Sequence, residues 1–364
     1  MTENLFRLPY IDHNIIRRIF TKMKKAIVAM SGGVDSTFAA YLALKEGYDV
    51  TGITLKLFED FNASIDAEKS AKYLNIKWEE VDYTKQFKEK VISYFVKTYK
   101  DGKTPNPCAY CNKHAKFFFL FKEMLSRDAS SIVTGHYARI IDYHGSKFLG
   151  KAWDNKKDQS YYLCLLDKTY ISAAQFPNGE LTKENIRKRS RELGIPVSGK
   201  KDSQEICFLK GEKYTDFLKN VFSEKKGQKG YFICNGEKIK QHEGIEFYTV
   251  GQRKGLNIGY HKTLYVKQID KMSNNIILTE DKAFESRHIK LAYCNFNEVS
   301  PNIRRAQVSI RYRMKPADCY IDILPDNQAI ILFDKAQKSP ATGQVAAIYE
   351  NDRVIGGGFI EEVL

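Results

Sequence analysis

Lys24-Lys-Ala-Ile-Val-Ala-Met-Ser-Gly-Gly-Val-Asp-Ser-Thr37 is the stretch that decides the fold. Ala26 to Met30 is a short apolar run with lysines on one side and glycines close behind on the other, the pattern of a buried strand. Ser31-Gly32-Gly33 predicts a tight turn. From Val34 to Glu46 the apolar residues Phe38, Ala39, Leu42 and Ala43 recur with helical spacing, and Gly47 is placed to end the helix. Strand, glycine turn and helix together make an anion cradle. Two adjacent glycines let the backbone approach a phosphate, Ser31 and Ser36 add hydroxyl donors, and the helix start offers unpaired N–H groups with a favourable dipole.

The lysine of G-x-x-x-x-G-K-[ST] is missing, and the spacing is not G-x-G-x-x-G. Outward from the turn, Asp49 to Leu57 reads as a second strand, and Ala63 to Asn75 as a helix with Ser64 as its cap. Lys77 to Val81 reads as a third strand. A long amphipathic helix follows, with Phe87, Val91, Phe95 and Tyr99 on one stripe. Ser131 to Thr134 is a further buried strand running into Gly135-His136-Tyr137-Ala138-Arg139. A hairpin is expected across His144-Gly145, and Thr182 caps a basic helix that stops at Gly194. Alternating strands and helices predict a doubly wound parallel sheet with ligands at the carboxyl ends of its strands. Leu55, at the end of the second strand, is there either a nucleotide contact or a plain core leucine.

Two prolines make Gly102-Lys-Thr-Pro-Asn-Pro-Cys-Ala-Tyr-Cys111 a rigid approach to a helix that carries Cys108 and Cys111 near its start, where the dipole is expected to lower thiol pKa. No second C-x-x-C exists to complete a structural zinc site. Cys207 lies in the charged segment Lys200-Lys-Asp-Ser-Gln-Glu-Ile-Cys-Phe208, with 95 residues between it and Cys111. Both can reach one end of the sheet.

A chain of 364 residues implies two or three domains. Lys+Arg 58 against Asp+Glu 44, a formal +14, suits a polyanionic partner. Seven cysteines, an odd count without secreted-type spacing, favour a reducing compartment, and no apolar stretch approaches a membrane span. A soluble, cytoplasmic protein is expected. Residues 1–22 lack an apolar signal core and read as an extension before Met23. Past Cys207, Asn235-Gly236 predicts a hairpin turn, and from Ser286 onward short strands form a barrel pattern. Within it Ala306 to Met314 alternates, with Tyr312 expected inward and Arg311 outward. The expected fold class is thus α/β. A catalytic domain with a doubly wound parallel sheet spans 23–208, a small central domain 209–285 and a C-terminal β-barrel 286–364.

Ser-Gly-Gly-Val-Asp-Ser resembles the pyrophosphatase loop of enzymes that split ATP into AMP and pyrophosphate. With Thr-Pro-Asn-Pro-Cys-x-x-Cys-Asn-Lys, Thr-Gly-His-Tyr-Ala-Arg, Lys-Asp-Gln-Ser-Tyr, Lys-Lys-Asp-Ser-x-x-Ile-Cys-Phe, Tyr-Thr-Val-Gly-Gln-Arg-Lys-Gly-Leu and Arg-Tyr-Arg in that order, the chain resembles the bacterial and mitochondrial tRNA-specific 2-thiouridylase family. The resemblance implies ATP binding by Ala29, Met30, Ser31, Gly32, Gly33, Val34, Asp35, Ser36, Leu55 and Gly135, with Asp35 beside the Mg2+-bound pyrophosphate. It implies a nucleophile at Cys111, a persulfide carrier at Cys207, a target-base loop at Asn106, Pro107 and Cys108, and tRNA contacts at Lys157, Asp158, Gln159, Arg311 and Tyr312. The implied reaction adenylates the C2 oxygen of the wobble uridine (position 34) of lysine, glutamate and glutamine tRNAs. Persulfide sulfur, supplied by a donor protein, then displaces AMP and a Cys111–Cys207 disulfide remains. No metal-ligand residues are assigned.

The chain departs from the pattern in three places. Cys108 stands where many members have aspartate, so Cys108, Cys111 and Cys207 offer an alternative in which a [4Fe-4S] cluster delivers the sulfur. Gln204-Glu205 replaces the more usual Thr-Gly, and the stretch after the second strand is short. Another ATP-pyrophosphatase-loop ligase and a catalytically inert RNA-binding protein are the remaining alternatives.

Overall fold

The computed structural model describes residues 24–59, 63–200, 206–222, 229–281, 284–297 and 304–364. The 1–22 extension and Gln204-Glu205 lie outside them.

The first layer follows from the opening stretch. Strand β1 (Lys25–Ala29) leads through the glycine turn into α1 (Val34–Lys45), and β2 (Asp49–Lys56), α2 (Ala63–Leu74) and β3 (Lys77–Asp82) follow. Ser64 lies inside α2 rather than capping it, and its hydroxyl donates to the Glu80 carboxylate. The expected long helix is α3 (Thr84–Phe87), a π-helical turn over Lys88–Ile92, and α4 (Ser93–Lys100). Its apolar stripe holds across the break: Phe87, Val91, Phe95 and Tyr99 are all buried. Each large side chain so buried contributes about 1.5–3 kcal/mol.

Helix α5 (Pro107–Cys111) passes through a second π-helical turn, Asn112–Lys116, into α6 (Phe117–Ser126), and then comes β4 (Ser131–Val133). The hairpin β5 (Arg139–Tyr143) and β6 (Ser146–Gly150) turns through His144 and Gly145, both at positive φ. After it come α7 (Ser160–Leu163), α8 (Lys168–Ala173), the short β7 (Ala174–Gln175) and α9 (Lys183–Glu192), which Thr182 caps as expected. The strand order is β3-β2-β1-β4-β7, all parallel, and Ile27 pairs with Thr51 on one side and Ile132 on the other. The direction in which successive strands are added therefore reverses between β1 and β4, where a crevice opens beyond the strand ends.

After α10 (Tyr214–Val221), β8 (Gly230–Cys234), β9 (Glu237–His242), β10 (Tyr265–Asp270) and β11 (Asn275–Thr279) form the central four-stranded sheet. Asn235 and Gly236 make its hairpin turn at positive φ. Strands β12 (Glu285–Phe296), β13 (Arg304–Ser309), β14 (Ala317–Leu324), β15 (Gln328–Lys338), β16 (Val345–Glu350) and β17 (Arg353–Val363) close into a six-stranded barrel through β12–β17 pairing. The β5–β6 hairpin extends the barrel sheet, Gly150 and Leu149 pairing with Arg353 and Val354. The barrel is thereby joined to the first layer.

One expectation fails here. The alternation read over 306–314 ends with β13 at Ser309, because Met314 N bonds back to Arg311 O (3.2 Å) and Arg313 takes φ 63°. Beyond Ile310 a turn replaces the strand, so Tyr312 leaves the barrel interior.

Candidate functional site

The site grows from the glycine elbow. Gly32 has φ +67°, and a Cβ there would lie 2.4 Å from the Ala63 carbonyl oxygen, so only glycine fits. Gly33 is the extended N-cap of α1, and a Cβ placed on it would meet nothing nearer than Ser31 Oγ at 3.7 Å. Ser36 Oγ accepts from Ser31 N (3.2 Å) and donates to Gly33 O (3.0 Å), which fixes the loop. Gly135, just past β4, approaches α1 so closely that a Cβ would sit 2.7 Å from the Asp35 carbonyl carbon and from Ser36 N. Asn178 clamps both segments, donating to Asp35 O (2.9 Å) and Gly135 O (3.2 Å). The Asp35 carboxylate accepts from Lys183 Nζ at 2.7 Å on each oxygen and from Tyr137 OH at 2.7 Å.

These elements wall a cavity of about 310 Å3. Ala29, Met30, Ser31, Asp35, Ser36, Leu55 and Gly135 line it, together with Lys116, His136, Gln159 and Cys207. Leu55 is 8 % exposed and is therefore at once core and cavity wall. Gly32 and Gly33 shape the turn, and Val34 is buried in the cluster around Phe38 and Tyr137. The His136 imidazole is held well below its usual range by burial and by the Lys116 charge, so it is neutral, with Nδ1 and Thr134 Oγ1 2.7 Å apart.

The three cysteines share this end of the sheet. Cys108 and Cys207 keep solvent-exposed surface while Cys111 is 7 % exposed, and all are free thiols. Surrounding protein nevertheless desolvates all three. Burial pushes Cys108 up to about 11 and Cys111 up to about 12, and it also raises Cys207. For Cys108 and Cys111, the nearby sulfurs add to the rise. The expected dipole-lowered thiols are thus not found: the helix start offers a weak partial charge, and removal from water outweighs it. Lys116 is the charge that opposes the rise at each thiol. Among the described residues no three His, Cys, Asp or Glu side chains come together in an arrangement able to hold a metal ion.

Of the loop expected to meet the base, Asn106 and Pro107 are buried and Cys108 is exposed. Asn106 caps α5 by accepting from Ala109 N (3.1 Å). The barrel holds this loop: Thr104 N donates to Thr342 O (2.8 Å), and Gln344 Nε2 donates to Thr104 O (3.3 Å) and Pro105 O (3.0 Å). Asp158 accepts from Ala152 N (2.9 Å) and Ser160 Oγ (2.7 Å), and Gln159 Oε1 accepts from Tyr137 N (3.0 Å), so both carboxylate and amide brace the turn that carries half-buried Lys157. Arg311 donates to Ser339 O, and the Tyr312 ring lies 4.5 Å from that of Tyr162, which in turn faces Cys108 and Arg313.

Sequence reading missed Lys116, Lys183, Tyr137 and Tyr162. Lys116 stands five residues after Cys111, a spacing that separates side chains on an α-helix, whereas the π turn closes i to i+5. Lys183 is 148 residues from Asp35. No local signal links them.

Comparison with known proteins matches three family models in order: a tRNA methyl transferase HUP domain over 24–211, a tRNA methyl transferase PRC-barrel domain over 215–280 and an aminomethyltransferase beta-barrel domain over 286–360. A tRNA-specific 2-thiouridylase MnmA of Clostridioides difficile is 37% identical over 358 residues, 94% of this chain and 99% of that protein. One from Clostridium acetobutylicum is 37% identical over 354 residues, 93% of this chain and 99% of that protein. A third, from Thermoanaerobacter pseudethanolicus, is 38% identical over 360 residues, 93% and 98% respectively.

Proposed function

This chain belongs to the tRNA-specific 2-thiouridylase family, and we propose that it replaces the C2 oxygen of the wobble uridine of tRNA with sulfur at the expense of ATP. The observation that carries the reading is one cavity whose wall includes both the glycine elbow and Cys207, with Cys111 and Cys108 adjoining. A uridine carbonyl has no leaving group. Adenylating its oxygen, with Mg2+-pyrophosphate expelled along Ser31 to Ser36, creates one. Persulfide sulfur on Cys207 then attacks C2, AMP departs, and Cys111 cleaves the sulfur–sulfur bond to leave a Cys111–Cys207 disulfide for later reduction. The persulfide comes from a donor protein of the same compartment, which we take to be the cytoplasm.

Ala29 to Ser36, Leu55 and Gly135 bind the nucleotide in this reading. Asn106, Pro107 and Cys108 meet the base; Lys157, Asp158, Gln159, Arg311 and Tyr312 meet the tRNA, with lysine, glutamate and glutamine acceptors as substrates. A second reading, favoured by the mutual proximity of the three thiols, delivers the sulfur from a [4Fe-4S] cluster on Cys108, Cys111 and Cys207. The test is incubation with ATP, Mg2+, a persulfide donor and unmodified lysine tRNA, followed by nucleoside analysis. Formation of 2-thiouridine that is lost in both Cys111→Ser and Cys207→Ser supports the reading. Product from Cys111→Ser refutes it.

A further inference from the structure

Among the described residues lining the cavity, Lys116 is the one lysine or arginine. The acid that shares the wall, Asp35, already has its carboxylate taken by Lys183 and Tyr137. No salt bridge to Lys116 occurs among the described residues, and Lys116 is half-buried rather than splayed into water. An ammonium that has given up part of its hydration, and that no described carboxylate meets, is a site for an anion. Its placement comes from the π turn over Asn112–Lys116, and its charge acts on all three thiols, Cys207 among them, whereas Ser31 and Ser36 belong to the elbow.

We propose that Lys116 binds the phosphate that joins adenosine to the base oxygen, the phosphate retained in AMP. The inference rests on the ATP-dependent reading above and assigns one contact within it. The elbow takes the departing pyrophosphate, and the phosphate left behind must lie between elbow and sulfur, in the cavity that Lys116 lines beside Cys207. As sulfur forms its bond to C2, the C2–O bond breaks and its electron pair leaves on the oxygen of AMP. A cation beside that phosphate stabilises the charge gathering there.

Binding to the full chain isolates this contact. Affinities for adenosine, AMP and ATP with Mg2+ are measured by calorimetry for the parent, Lys116→Met, Lys116→Arg and Lys113→Met, a neighbouring lysine paired instead with Asp167 at 3.0 Å. The expected result is that Lys116→Met weakens AMP by about tenfold or more while adenosine is unchanged, that Lys116→Arg restores most of the difference, and that Lys113→Met changes neither. An AMP-to-adenosine preference in Lys116→Met equal to the parent's overturns the proposal. Lys116→Gln carries the same comparison should the methionine variant not fold. If the parent binds none of the three ligands, the ATP-dependent reading itself fails and the assignment with it.

Discussion

Lys183 Nζ lies 2.7 Å from each carboxylate oxygen of Asp35, 148 residues earlier, so the first helix of the fold and the helix that starts at Lys183 are pinned together beside the cavity that Asp35 lines. The lysine side chain is 9% exposed and the aspartate 31%. Asp35→Asn removes the counter-charge of a nearly buried ammonium and is expected to destabilise the chain by about 2 kcal/mol, less than for a fully buried pair because Asp35 keeps access to water. Adding Lys183→Met to Asp35→Asn recovers part of the loss. Urea unfolding of the two single variants and the double variant measures the coupling, and strict additivity contradicts it.

The two elbow glycines separate folding from binding. Gly32→Ala forces a side chain into the left-handed region and onto the Ala63 carbonyl, costing roughly 1–3 kcal/mol. Gly33→Ala meets nothing nearer than 3.7 Å and leaves stability within about 0.5 kcal/mol, yet it places a methyl where phosphate would approach. Chemical denaturation reports the first effect and ATP titration the second. Equal destabilisation by both variants rules the distinction out.

Thiol reactivity follows pH in a stated direction. Burial favours the neutral thiol, so thiolate at Cys108 and Cys111 forms only as pH rises toward about 11 and 12, against an ordinary value of 9.0. Alkylation by iodoacetamide, mapped to each cysteine by mass spectrometry, is expected to be slow at about pH 7.5 and to climb well past about pH 9 in the folded chain. The linkage has the same sign. In the window between 9.0 and these values the folded state holds protons the unfolded chain has released, so this contribution to stability is intact below 9.0 and lost as pH rises. A reactive plateau at Cys111 already near neutral pH contradicts the buried assignment.

Binding of tRNA should weaken steeply with salt, since phosphate contacts release counterions, and a flat profile between about 50 and 200 mM, the range over which such complexes commonly lose about 10^3-fold or more, counts against a nucleic-acid partner.

Gln344 offers a test of the barrel's part in the site. Its amide bridges the barrel to the Thr104 and Pro105 carbonyls ahead of Cys108. Gln344→Ala is expected to cost about 1 kcal/mol and to lower the rate of thiolation more than the affinity for tRNA, because it frees the loop rather than a phosphate contact. Single-turnover rates set beside tRNA binding curves separate the two. A loss confined to affinity is the opposing outcome.

Much was legible wherever a few adjacent residues set the geometry. The elbow from Ser31 to Gly33, the alternation of strands and helices, the Thr182 cap and the hairpins at His144-Gly145 and Asn235-Gly236 all depend on local torsions and on apolar period, which neighbouring side chains dictate. Reading failed where an element was irregular. The π turn after Cys111 changed which side chains share a face, and the turn beyond Ser309 took Tyr312 out of the barrel to lie against Tyr162.

By itself the sequence determined the α/β class and the glycine elbow, because residue type and short spacing are enough for those. Only the tertiary structure decided that Cys207 shares a cavity with the elbow, that Lys183 holds Asp35, that Lys116 faces the thiols and that their acidity is weakened rather than strengthened. Each of these depends on distance and solvent exclusion between segments far apart in the chain, and packing, not local preference, sets both.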